Sequence, residues 1–189
     1  GFGRYHLPER FGGQNGTNLD MAIVREHLAR KGLGLHNDLQ NESSIVGNLV
    51  TVLMMERFGS EAQQEQWIPK MLNGEARIGF GLTEPLHGSD ATWMETTATR
   101  DGDEWVITGE KYWNTGLHHA THDYIFARTS GEPGEGTGIT CFIVPTDSAG
   151  LKVEEFMWTF NMPTDHAHVT LDQVRVNHAD ILGEEGKGL

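Results

Sequence analysis

The hydrophobic pattern of this chain changes its period at one stretch, Phe80-Gly81-Leu82-Thr83-Glu84-Pro85-Leu86-His87-Gly88-Ser89-Asp90, and that break restricts the folds open to it. Before it, apolar residues recur at helical spacing; after it, they alternate as in half-buried strands. Helices that precede strands, instead of alternating with them, argue against a parallel doubly wound sheet. The expected class is α+β, an N-terminal helical segment over residues 1–79 and then an antiparallel β-barrel or sandwich over residues 80–189. Within the break, Phe80 to Thr83 is short, mostly apolar and strand-like, and Glu84-Pro85 ends it because proline has no N–H for a continuing ladder. Gly88-Ser89-Asp90 then makes a small polar turn. A strand end whose N–H groups run out of partners, beside a turn carrying a hydroxyl, can receive an electron-rich ligand edge. The same residue types also suit an ordinary domain junction.

The helical part opens with a glycine-rich loop over residues 1–18. The first helix is expected to start near Asn18, with Asn18 as its cap and Met21, Val24 and Leu28 as its apolar face. A second helix over residues 41–57 is apolar nearly all round and therefore buried. Ser60 and Gln63 have capping-box spacing for a third, which Pro69 kinks or restarts. Beyond residue 80, Asp101-Gly102 between two alternating runs is a tight hairpin signal. Further strands are expected at Tyr124 to Arg128, Ile139 to Val144, Leu151 to Phe156 and Val169 to Val176. The glycine-rich run at residues 131–138 leads into a strand and carries two acids, so it reads as a solvated hairpin loop and not a phosphate loop, which needs a helix N-terminus behind it.

The net charge of −13 disfavours nucleic acid and anionic membrane as partners, since both need positive surface. No apolar run approaches the roughly 18 residues of a membrane span. A single cysteine, Cys141, allows no internal disulfide and suits a reducing compartment. The chain starts at Gly1 without an initiator Met, as a chain entered partway through would.

Thr83-Glu84-Pro85-Leu86-His87-Gly88-Ser89-Asp90 resembles the TEPxxGSD signature of the acyl-CoA dehydrogenase family. Leu7-Pro8-Glu9-Arg10-Phe11-Gly12-Gly13 is similar to that family's PEEYGG segment. Tyr112-Trp113-Asn114-Thr115 resembles its MWIT element, with Asn114 in place of the usual apolar residue. Leu182-Gly183-Glu184-Glu185-Gly186-Lys187-Gly188 looks like its GEEGKG turn. The resemblance implies an FAD site: Phe80, Leu82 and Thr83 at the pyrimidine edge of the flavin, Trp113 against the ring system, and the Thr115 hydroxyl near N5. It places Ser89 near the pyrophosphate of FAD and the pantetheine arm of the substrate. An aromatic face offers a flat dispersion surface, and a hydroxyl can donate or accept as the cofactor changes state. Taken alone, a WxT triplet is equally a core tryptophan and a turn threonine. Residues 158–166 depart from the family, which usually shows a glycine, an arginine and a small hydroxylated residue there, so no contact of that stretch is carried over.

The implied activity is α,β-dehydrogenation of an acyl-CoA thioester, with electron-transfer flavoprotein or another acceptor as partner and a homodimer or homotetramer as assembly. The implied location is cytoplasmic, or the mitochondrial matrix in a eukaryote. The family's catalytic base usually lies in a C-terminal helical domain, beyond Leu189, so no catalytic residue is assigned and the chain alone is expected to be inactive. Two rivals remain at this point: the flavin monooxygenase or nitroalkane-oxidase branch of the same fold, and a non-catalytic β module that binds a protein. Among ten histidines, His118 and His122 have helical spacing, but nothing around them shows a helix and no metal is expected. Asp165, His166 and His168 are a weaker metal candidate, because alternation sends neighbours to opposite faces.

Overall fold

The computed structural model describes residues 4, 5, 7–32, 48–159 and 162–189. The chain divides into two compact units, Gly1–Glu75 and Ala76–Leu189. The first holds helices α1 (Asn18–Arg30), α2 (Asn48–Phe58) and α3 (Glu61–Asn73). The cap of α1 is Thr17, not Asn18. Thr17 accepts from the Asp20 N–H while the Asp20 carboxylate accepts from the Thr17 N–H. That reciprocal pair satisfies two donors where a lone asparagine satisfies one. Ser60 and Gln63 form the same box at α3, as expected, and Pro69 lies inside α3 without ending it. Val52 and Met55 of α2 are fully buried, and the expected helical residues 41–47 lie outside the described ones. Among the described residues, no helix is long and apolar enough to cross a membrane.

The second unit is one sheet of β1 (Ile78–Gly81), β2 (Thr97–Asp101), β3 (Glu104–Thr115), β4 (His122–Arg128), β5 (Ile139–Pro145), β6 (Leu151–Thr159), β7 (Met162–Asn177) and β8 (Ile181–Leu182). Its order is β6-β7-β3-β1-β4-β5-β8, and β2 pairs with both β3 and β4. Most ladders are antiparallel, but β1 and β2 run parallel to β4, so the sheet is mixed. The cause is topological. The strands β3 and β4 run in opposite directions, and any strand inserted between them is parallel to one. Trp105, Ile107, Ile125, Phe142, Ala167, Val169 and Val174 pack the core on one side of this sheet.

The slot between β3 and β4 is shared, with β1 filling one end and β2 the other. Between them the chain leaves the sheet through a turn in which Glu84 and His87 exchange backbone hydrogen bonds. The Glu84 carboxylate reaches back into the gap. It accepts from the N–H groups of Glu95 (2.6 Å) and Thr96 (2.9 Å) and from Lys111 Nζ (2.7 Å), and Lys111 also donates to the Leu82 carbonyl. Both side chains are buried. Burial by itself would raise the Glu84 pKa, but the Lys111 ammonium and the backbone donors outweigh it and hold the carboxyl below its usual range. Burial pushes Lys111 down to about 8, against the pull of Glu84 and Asp123.

Breaking this pair strands a charge in the interior, so Lys111→Met is expected to destabilise the protein by about 3 to 5 kcal/mol in urea unfolding. Glu84→Gln combined with Lys111→Met removes both charges and is expected to be more stable than Lys111→Met alone.

Candidate functional site

The last five residues of β3 lie between β1 and β7, and the alternation fails there. Trp105, Ile107 and Lys111 all point inward and are buried, so a regular strand would bury Trp113 next. Trp113 instead adopts φ 64°, and the register against β7 slips between Lys111↔Val169 and Asn114↔Ala167. The extra residue is a β-bulge. Asn114 takes the core position at 0% exposure, and Trp113 is turned out at 40%. A bulky residue at positive φ is an outlier that the surrounding structure must enforce.

The bulge also reverses Thr115. Phe80, Thr115 and His166 are in register across β1, β3 and β7. Opposed residues share a face, and the adjacent pair Asn114 and Ala167 is fully buried, so this row lies on the side away from the core. In the same register the Tyr112 N–H donates to the Thr83 carbonyl (2.9 Å). Phe80, Thr83, Trp113 and Thr115 are therefore brought to one end of the β1–β3 ladder. Because the Leu82 and Thr83 carbonyls accept from Lys111 and Tyr112, a ligand edge there would meet N–H donors and the Thr83 hydroxyl. Ser89 stands apart from the sheet, on an exposed bend beyond Pro85. A cavity of about 630 Å³ opens beside this loop but is lined by Pro85, Glu95, Thr108, Glu110 and Asp172, and neither Trp113 nor Thr115 enters it.

His166, which the sequence offers only as part of a weak metal candidate, stands beside Thr115 and Trp113. Its Nδ1 lies 3.0 Å from Thr115 Oγ1, and its ring meets the Trp113 ring edge-on at 6.2 Å. Alternation against buried Ala167 and Val169 places it on the outward face, a signal that stays silent until the partner strand is known. His118 stacks on Phe156 at 3.6 Å, and His122 Nδ1 lies 2.9 Å from Thr121 Oγ1. Among the described residues no group of three or more metal-ligating side chains converges.

Behind Thr115, on the core side, Asn114 Nδ2 donates to Asp123 Oδ2. The approach needs glycines in β1, since a Cβ at Gly81 would stand 2.6 Å from Asn114 Nδ2 and one at Gly79 would stand 2.9 Å from Asp123 Oδ1. Asn114 Oδ1 and Asp123 Oδ1 find no donor among the described residues. Burial pushes the Asp123 carboxyl up to about 7, opposed by the Asn114 bond and the Lys111 charge. A folded pKa above the ordinary carboxyl value means that the folded state holds the proton longer than the unfolded state. Asp123 therefore costs stability progressively as pH rises from about 4 to about 7. Asp123→Asn is expected to flatten that decline in urea unfolding at several pH values and to raise stability at pH 7 and above.

Two sequence profiles match the chain, "Acyl-CoA dehydrogenase, N-terminal domain" over residues 1–75 and "Acyl-CoA dehydrogenase, middle domain" over residues 79–174. A 3-(aryl)acrylate reductase of Clostridium sporogenes is 32% identical over 100% of this chain and 48% of its own length. A glutaryl-CoA dehydrogenase of Desulfococcus multivorans is 32% identical over 96% of this chain and 46% of its own. Among solved structures, an acyl-CoA dehydrogenase of Geobacillus kaustophilus superposes with TM-score 0.74 at 28% identity, covering 98% of this chain and 48% of that one. The ChsE4-ChsE5 complex of Mycobacterium tuberculosis gives TM-score 0.77 at 26% identity, with 98% and 46% covered. The chain thus spans about half the length of the relatives it matches, and with both profiles in sequence and the helical and sheet units in the same order, it belongs to the acyl-CoA dehydrogenase family.

Proposed function

We propose that this chain supplies the flavin-facing wall of an FAD-dependent acyl-CoA dehydrogenase. The observation that carries the reading is Trp113, held at positive φ by a bulge so that a large aromatic face is exposed beside the Thr115 hydroxyl. A core tryptophan would need neither the strain nor the exposure. The residues present fit a flavin: a flat apolar ring to stack on, a hydroxyl on the same face, and N–H donors where β1 ends. Such donors favour the negative charge that builds on the pyrimidine edge when the cofactor is reduced. Bound FAD supplies the hydride acceptor for dehydrogenation of the acyl-CoA β-carbon.

The chain's own residues then divide the work. Trp113 binds and orients the ring, Thr115 offers its hydroxyl toward N5, Phe80, Leu82 and Thr83 hold the pyrimidine edge, and Ser89 meets the pyrophosphate of FAD and the pantetheine arm. Glu84 is not available as the base that removes the α-proton, because Lys111 and two backbone N–H groups occupy its oxygens. Electron-transfer flavoprotein or a similar acceptor reoxidises the enzyme, and assembly with further chains suits a family in which a related structure, ChsE4-ChsE5, is itself a complex.

In the FAD-loaded protein, Thr115→Val is expected to slow anaerobic flavin reduction by acyl-CoA by roughly a hundredfold, the effect of losing one donor worth about 3 kcal/mol, while FAD retention changes little. Trp113→Ala is expected to release FAD instead, read by dialysis and flavin absorbance. Wild-type reduction rates in Thr115→Val would remove the assigned role. Residues 1–189 expressed alone with FAD are expected to show no bleaching by acyl-CoA, and bleaching that Glu84→Gln abolishes would place the base within them.

A further inference from the structure

A threonine hydroxyl has one proton to give, so its usefulness to a ligand depends on where that proton points. Thr115 is not free in this respect. Its Oγ1 lies 3.0 Å from His166 Nδ1, well inside hydrogen-bond range, while its contact to the Trp113 carbonyl is at the outer limit at 3.4 Å. The histidine is held in turn. It pairs with Thr115 through the β3–β7 register, its own N–H donates to Thr164 Oγ1, and Thr164 donates to the Met157 carbonyl on β6.

We propose that His166 is a positioning residue for Thr115, setting whether the threonine proton is turned toward the histidine or toward the ligand side of the sheet. When Nδ1 carries no proton it accepts from Thr115, and the hydroxyl presents only lone pairs outward. With a proton on Nδ1, the histidine donates to Thr115 Oγ1, and the hydroxyl proton is released to an outside acceptor. The change needs only one proton, taken from solvent by the imidazole. A carboxylate stands beside it, Asp165, 3.8 Å from the same Nδ1. From β3, Thr115 and Trp113 face it, both uncharged. Farther along, Glu110 is occupied by His168, with Glu155 of β6 opposite His168.

The inference rests on the flavin reading, in which oxidised N5 is the outside acceptor. Wild-type protein should then bind oxidised FAD more tightly in the protonated state, by about threefold, the scale of one neutral hydrogen bond exchanged with water. The test is FAD affinity by flavin fluorescence across about pH 5 to 8, in wild type, His166→Asn, Thr115→Val and Thr115→Ser, with circular dichroism confirming the fold of each. The step in affinity is expected in wild type and Thr115→Ser and absent from His166→Asn and Thr115→Val. A step that survives in Thr115→Val, or in His166→Asn, overturns the proposal while leaving the flavin reading intact, as does FAD binding with no step in wild type. Wild-type protein that binds no FAD at any pH overturns both.

Discussion

The buried pair of Glu84 and Lys111 is the contact on which the site depends. It sits where one slot of the sheet changes hands, from β1 to β2, and where the N–H groups of Glu95 and Thr96 would otherwise face the interior without partners. A carboxylate is the right group for that place because it accepts several donors at once, and a lysine is needed because an unpaired carboxylate there would be costly. The loop that follows β1 is thus anchored from the inside, by charge, at its first turn. A hydrophobic plug of the same volume would fill the gap but would leave both backbone donors unsatisfied. That constraint explains why the only acid at the centre of the motif is a structural acid. Its pKa is lowered and its oxygens are occupied, the opposite of what proton abstraction requires.

The bulge at Trp113 is the second device, and it depends on the first. Lys111 must point inward to meet Glu84, and Asn114 must point inward to meet Asp123, yet the two are three residues apart. A period of two cannot satisfy both. One residue has to be extra, and the cost of placing it falls on Trp113, whose backbone takes the left-handed conformation. Ejecting that residue puts an aromatic ring on the surface and turns Thr115 outward in one step. The surface chemistry of this strand end follows from two buried polar appointments on its other face.

Legibility in the sequence divides along the same line. The switch from helical period to period two is readable because burial imposes it on long stretches, and the strands expected at Tyr124, Ile139 and Leu151 begin within two residues of those found, whereas β7 starts at Met162, seven residues before the expected Val169. The Ser60 box was readable because both partners lie within one turn, whereas Thr17 was passed over for its neighbour Asn18 although its acid, Asp20, has the same spacing. The parallel pairing of β1 with β4 was not readable, since it follows from which slot the strand enters and no local pattern records that. Within the site, Trp113 and Thr115 stood out through motif resemblance, but resemblance could not say that Lys111 is fully buried or that Thr115 has His166 as a partner. Those facts depend on residues far apart in sequence, and the alternation that would have placed Lys111 is broken two residues later by the bulge itself.

Two polar contacts meet at Thr115 and its neighbour Asn114. On the core side Asn114 ties the strand to Asp123; on the outer side His166 ties the Thr115 hydroxyl to β7. An apolar residue at position 114 would leave the Asp123 carboxyl without its only side-chain donor among the described residues, so the asparagine and the acid have to be considered together. The two polar contacts also differ in kind. Asn114 and Asp123 are sealed from water, and any proton taken up there is felt as stability. Thr115 and His166 lie on the outer face, joined by a contact of 3.0 Å. A single strand end thereby carries two polar contacts on opposite faces, one sealed in the core and one beside the exposed Trp113.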